Sequence, residues 1–203
     1  MLDGRSHGLE ARVFDAVERL LADGHRFEDL GVQRIASEAG VARSTFYVHF
    51  RDRSDLLVRL AERVTEPAFT AISRWVDAGT DGVEGLERTL VVVVAAVRAH
   101  LPVLHALSEA ALRDPAVDEL WSSRIDGLAA ALQLRLLDER NLGELPSDVD
   151  PELLAQNVAW SLERNVARHV RRMRAADPVA DARFATGLAD ATWRSLYGRV
   201  ATV

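Results

Sequence analysis

Apolar residues recur at every third or fourth position along most of the chain, the period of an amphipathic helix rather than a strand. From His7 to Ala22, the residues Leu9, Val13, Phe14, Val17, Leu20 and Leu21 make one such face, and Gly24 ends it. Two short segments follow in quick succession. Gly31–Ala39 carries Val32, Ile35, Ala36 and Ala39 on one side, and Gly40 breaks it. Ala42–His49 turns Thr45 and Phe46 inward, flanked by Val41 and Phe50. Asp52, with Asp55 at capping-box distance, then opens a long helix from about Arg53 to Asp77. Pro67 lies inside that helix and is expected to kink or interrupt it, because proline lacks the N–H and its ring meets the preceding turn.

Beyond the turn Gly79-Thr80-Asp81-Gly82 the pattern predicts helices at about 83–100, 102–112, 115–141, 150–174 and 178–197. Pro102, Pro115, Pro151 and Pro178 fall near starts, where a missing N–H costs nothing, and Gly143 and Gly198 fall near ends. Gly143–Asp150 is the clearest surface loop. Alternating β-branched runs are few, and no hairpin signal separates two strands. The expected fold is all-α, with about nine helices: an N-terminal three-helix head, a long connecting helix and a C-terminal helical bundle. The head is expected over residues 1–58 and the body over 59–203.

Composition narrows the chemistry. A chain of 203 residues and 22.4 kDa buries a core without staples. It has no cysteine, which removes disulfides, Cys-ligated zinc, iron–sulfur clusters and a thiol nucleophile. The longest apolar run, Leu90–Val97, has 8 residues, too few to span a bilayer. The first residues lack a basic head followed by an apolar core, so a cytoplasmic protein with no membrane partner is expected. The six histidines, at 7, 25, 49, 100, 105 and 169, show no metal-ligand spacing, and no phosphate-binding loop or nucleophile elbow is present. No cofactor, no metal and no enzymatic activity are therefore expected.

All 25 basic residues are arginine; against 31 acidic ones the net charge is −6. An acidic whole argues against a chain coated in nucleic acid, but leaves room for one small basic reading surface. Residues 42–59 supply one, with Arg43, Arg51, Arg53 and Arg59 against Asp52 and Asp55. The run Arg164, Arg168, Arg171, Arg172 and Arg174 with His169 is the other basic concentration. It spreads over more than one helical face near a helix C-terminus, where positive charge complements the dipole.

The basic patch coincides with the most informative stretch, Val32–Leu57 (VQRIASEAGVARSTFYVHFRDRSDLL). Two short helices joined by a glycine-containing turn make a helix-turn-helix, whose second helix enters a DNA major groove about 12 Å wide. The outer face of that helix offers Arg43, Ser44, Tyr47 and His49 as donors to bases or phosphates. The stretch resembles the DNA-binding head of the TetR family of bacterial repressors. Ile35, Ala36, Ala39, Gly40, Val41, Thr45, Tyr47, Phe50, Arg53, Leu56 and Leu57 match the family pattern. The resemblance implies that Gln33, Arg43, Ser44, Thr45, Tyr47, His49 and Arg53 contact double-stranded operator DNA, with Arg53 standing where the family usually has a phosphate-binding lysine. Ala42 and Gly31 depart from the usual Ser or Thr caps, and the loss of such a cap costs ~1 kcal/mol locally.

A second resemblance lies in the body. Glu119–Ser122, Leu162–Arg164 and Trp193–Gly198 are similar to segments of the ethionamide-resistance repressor subgroup, in which a hydrophobic tunnel binds an elongated apolar ligand. The resemblance implies a ligand site lined by Leu90, Val94, Trp121, Leu128 and Trp193. Trp160, with a competing assignment to core or subunit interface, and Glu163, either paired with Arg164 or a polar group of the pocket, complete the candidate set. Glu87, Leu128, Ala159 and Leu162 replace pocket aromatics and amides of the subgroup, so the effector differs in shape and polarity.

The family also implies a homodimer through the helices at about 150–174 and 178–197, with an apolar set of Leu153, Leu154, Val158, Leu162, Phe184, Leu188, Ala191 and Leu196. The expected function is a ligand-responsive transcriptional regulator, a repressor released from a palindromic operator by a small apolar or amphipathic effector. The alternative is an all-α carrier or enzyme with a vestigial head.

Overall fold

The computed structural model describes residues 3–78, 81–173 and 176–198. Over these it forms nine α-helices and no strand: α1 (Asp3–Ala22), α2 (Val32–Glu38), α3 (Arg43–His49), α4 (Arg53–Ala78), α5 (Gly82–Ala99), α6 (Leu101–Ala111), α7 (Pro115–Asn141), α8 (Pro151–Arg172) and α9 (Pro178–Tyr197). The expected all-α order is thus present. A single 3-10 turn, Phe27–Asp29, was not anticipated from the pattern. Gly79, Thr80 and Arg174 lie outside the described residues.

Local sequence explains most of the boundaries. Asp150 and Asp177 cap α8 and α9, each accepting from two backbone N–H groups, with Pro151 and Pro178 at the first helical position. Asp52 Oδ1 accepts from the Asp55 N–H at 2.8 Å, as the capping spacing predicts. The return bond reaches one residue further back than in a standard capping box, because Asp55 Oδ2 accepts from the N–H of Arg51 at 3.0 Å. Pro67 does not interrupt α4. It sits on an exposed face, so the carbonyl left without its helical donor is on the water side.

The chain packs as two compact units. One comprises the residues up to Val64 with His100–Trp121; the other comprises Thr65–Ala99 and the residues from Ser122 on. In the first, Val13 and Val17 of α1, Ile35 of α2, Phe46 of α3, Leu56, Leu57 and Leu60 of α4, and Val103 and Leu107 of α6 share one buried core. In the second, α5 packs along α9 and against α8. Ala185 and Ala189 are fully buried there, and such small side chains let the helix backbones approach closely. Leu86, Leu90, Leu132, Leu136, Val158, Leu162 and Leu196 fill the space around them.

Candidate functional site

The α2–α3 turn is set by glycine geometry. Gly40 has φ +65°, the left-handed region that other residues enter at a cost. The Val41 N–H donates to the Ala36 carbonyl at 2.9 Å and the Gly40 N–H to Ser37 at 3.1 Å. This crossed pair of bonds is a Schellman ending, which satisfies the last carbonyls of α2 and aims the chain into α3. Val41 packs half-buried on the first core. Phe46 is fully buried, with the Phe50 ring 5.2 Å and the Tyr47 ring 5.5 Å away. These contacts fix which side of α3 faces out.

The outward side carries Arg43, Ser44, Tyr47 and Val48, all exposed, at the i, i+1, i+4, i+5 spacing of one helical face. The Arg43 guanidinium lies 5.7 Å from the Tyr47 ring centre, a cation–π distance that steadies both side chains. Gln33 is exposed on α2, and Thr45 is half-buried. Val48 was not singled out from the sequence, although its spacing from Ser44 places it on this face.

Two candidate DNA residues are held differently from the rest. His49 turns inward: its Nδ1 lies 3.7 Å from Glu10, which also pairs with Arg59 at 2.8 Å. The Arg59 guanidinium donates to the His49 carbonyl at 2.7 Å, so α1, α3 and α4 are tied at this corner. Arg53 is occupied as well. Its Nη1 donates to the carbonyls of Glu28 at 3.0 Å and Leu30 at 2.9 Å, clipping the 3-10 turn to the start of α4. Arg53→Ala is therefore expected to lower the stability of the head by about 1–3 kcal/mol, the range for losing charged hydrogen bonds, measured by urea unfolding.

Neither α2 nor α3 has a side-chain cap, as Gly31 and Ala42 predict; both residues are extended. α3 is therefore held by packing rather than by its own ends.

The candidate ligand residues are distributed between the two units. Trp121 packs on the first core. Leu90 is buried in the second core, where Trp193 is half-buried with its ring 4.3 Å from Tyr197. Leu128 is half-buried, and Trp160 Nε1 donates to Asp126 at 3.1 Å. Glu163 is half-buried beside exposed Arg164, 4.0 Å away, and its Oε2 has no hydrogen-bond partner. Burial pushes its carboxyl above the usual range, and Arg164 and Arg171 pull it partly back.

A cavity of about 400 Å³ opens between α5 and the start of α9, in the second unit. Val91, Val94, Ala95 and Ala182 give it an apolar wall, and Arg98 and Asp181 stand at it as a charged pair. Val94 is the candidate ligand residue that lines it. The pair was not legible in the sequence, since 83 positions separate its members.

Residues 15–60 match the bacterial regulatory proteins of the tetR family. Residues 86–198, more than half of the chain, match the C-terminal domain of the transcriptional regulator EthR. The chain belongs to the TetR family. EthR of Mycolicibacterium smegmatis is 25% identical over 158 residues, covering 77% of this chain and 72% of that protein. EthR of Mycobacterium tuberculosis is 29% identical over 160 residues, covering 77% and 73%. Among solved structures, the regulator FadR from Bacillus subtilis in complex with stearoyl-CoA superposes with TM-score 0.65 at 19% identity, covering 93% of this chain and 98% of that one. This member of the TetR family is a DNA-binding transcriptional regulator. Among the described residues, no single helix is long and apolar enough to cross a membrane.

Proposed function

We propose that the chain is a cytoplasmic repressor that binds a palindromic operator as a homodimer and leaves it when a small, largely apolar effector enters the body. In this reading residues 1–58 read DNA and residues 59–203 bind effector and dimerise. The observation that carries it is the outward face of α3: Arg43, Ser44 and Tyr47 stand exposed on a helix whose opposite side is locked by Phe46. Gln33 and Thr45 flank that face, and Arg53 with His49 positions it from behind. One such helix covers too few base pairs for specificity, whereas a two-fold pair reaches successive major grooves about 34–36 Å apart.

The dimer is assigned to α8 and α9. Val158, Leu162 and Leu196 of the apolar set on these helices are buried in the core, and Leu154 and Leu188 pack half-buried against it. Leu153 and Ala191 remain exposed and are available to a second copy. The effector is assigned to the apolar cavity at Val94, and the stearoyl-CoA bound by the B. subtilis FadR supports an elongated, partly apolar class. Release requires tighter binding to the DNA-incompetent state; equal affinity for both states moves nothing.

Selection of bound DNA from a random pool, followed by salt titration of the winner, tests the reading. The expected result is a palindrome bound with a steep, linear dependence of log K on log salt. A pool that stays unenriched at low and moderate salt overturns it.

A further inference from the structure

Val48 is 79% exposed, the most open of the large apolar side chains among the described residues of the head. It shares the outward face of α3 with Arg43, Ser44 and Tyr47, and it is the one member of that face with no polar atom in its side chain. Single exposed valines are common on protein surfaces and by themselves mean nothing. This one sits where local physics disfavours it. A β-branched residue loses χ1 freedom in a helix, and α3 has only 7 residues and no side-chain cap to spare that loss. No packing gain offsets it, because the side chain touches the core hardly at all. A local rule broken without a structural return points to a contact made outside the chain.

We infer that Val48 is a specificity-determining residue that reads the C5 methyl group of a thymine in the major groove. The inference rests on the reading that α3 enters that groove. An isopropyl group pressed against a base edge can neither donate nor accept. Against guanine, adenine or cytosine it would strip water from N7, O6, N6 or N4 and return nothing. Thymine alone among the four bases offers an apolar group there, so contact with its methyl favours T over C at one position in each half-site. Arg43, Ser44 and Tyr47 supply the hydrogen bonds around it.

The test uses the operator recovered by selection. Each thymine is replaced in turn by deoxyuridine, which deletes only the methyl, and affinity is measured for the wild type and for Val48→Ala. Alanine raises helix propensity, so the variant keeps its fold, and circular dichroism verifies this. The expected result is one thymine per half-site whose replacement weakens wild-type binding about fourfold, the worth of one buried methyl group. The same replacement leaves Val48→Ala binding unchanged. A sequence-specific operator at which no thymine behaves so, or at which the loss persists in Val48→Ala, overturns the inference and spares the regulator reading. Failure of the wild type to select any sequence overturns both.

Discussion

Phe46→Ala is expected to abolish operator binding although Phe46 touches no DNA. Its side chain is fully buried, between the rings of Phe50 and Tyr47. Truncation to alanine removes most of an aromatic side chain from a close-packed core, a change that costs about 3–5 kcal/mol. The loss falls on a seven-residue helix with no side-chain cap. A helix of that length is not stable alone in water and exists through its tertiary contacts. Without Phe46 the outward face of α3 loses its geometry, and Arg43, Ser44 and Tyr47 pay the ordering entropy on DNA instead.

Urea unfolding followed by circular dichroism, alongside an operator mobility shift, separates this from a contact effect. The unfolding midpoint of Phe46→Ala should fall together with affinity. Tyr47→Ala, at a half-exposed position, should lose affinity while its stability stays within about 0.5 kcal/mol of wild type. A Phe46→Ala variant that shifts the operator with wild-type affinity and an unchanged midpoint would show that the head is not held this way.

Much of this head was legible in the sequence because its signals are local. Gly40 after Ala39 specifies the turn, and the Ile35, Ala36, Phe46 and Phe50 spacing specifies which sides face inward. Helix boundaries were equally local: the aspartates and prolines at 150–151 and 177–178 fall at observed starts. What the sequence hid depends on partners far along the chain. The 3-10 turn at Phe27–Asp29 has no periodicity of its own; Arg53 holds it from the start of α4. His49 reads as a surface donor on a helical wheel, yet its ring faces Glu10 of α1, and Arg59 bonds its backbone carbonyl. Pro67 reads as a kink or an interruption; its exposed position lets α4 run on without the interruption. The ligand residues were least legible. Leu90 and Val94 of α5 have the same i, i+4 spacing whether they line a tunnel or fill a core, and packing decides between them.

Within residues 164–172, a composition signal resolves in part into specific roles. Read as a basic run, they invite a nucleic-acid assignment. His169 instead donates its Nε2–H to Asp181 Oδ1 at 2.7 Å and stacks on Phe184 with ring centres 3.9 Å apart. Arg171 lies close enough to Glu163 to lower its carboxyl pKa. His169 thus serves the second unit from within, whereas Arg171 acts on Glu163 from an exposed position.

The second large expected effect is at Asp181. Arg98 grips its carboxylate with two bonds, Nε to Oδ2 at 2.6 Å and Nη2 to Oδ1 at 2.5 Å, and donates Nη1 to the Met173 carbonyl at 2.6 Å. The triad of Arg98, His169 and Asp181 joins α5, the end of α8 and the first turn of α9. Their side chains are only 14%, 12% and 16% exposed. Removing one partner strands the other charge in a poorly hydrated site, which costs about 3–5 kcal/mol for a fully buried pair. The pair lines an open cavity and is not fully enclosed, so Asp181→Asn is expected to lose about 2–3 kcal/mol at neutral pH, less than full burial would exact.

Acid should erase the difference between the two proteins. The hydrogen bonds from Arg98 hold the Asp181 carboxyl below the usual range; burial opposes this, and His169 reinforces it. An unfolded aspartate takes up its proton near pH 4, about the ordinary value. The native carboxylate takes it up only at lower pH, so between these points the unfolded state binds more protons and stability drops as the pH is lowered. The contribution of Asp181 is therefore fully present above the ordinary carboxylate range and is lost as pH drops through the native value. Urea midpoints measured from pH 7 down to pH 3, roughly the span of that linkage, should show the wild type converging on Asp181→Asn as the medium becomes acidic. A gap that stays constant across this range would place the stabilisation in shape and packing around Arg98 rather than in the charge of Asp181.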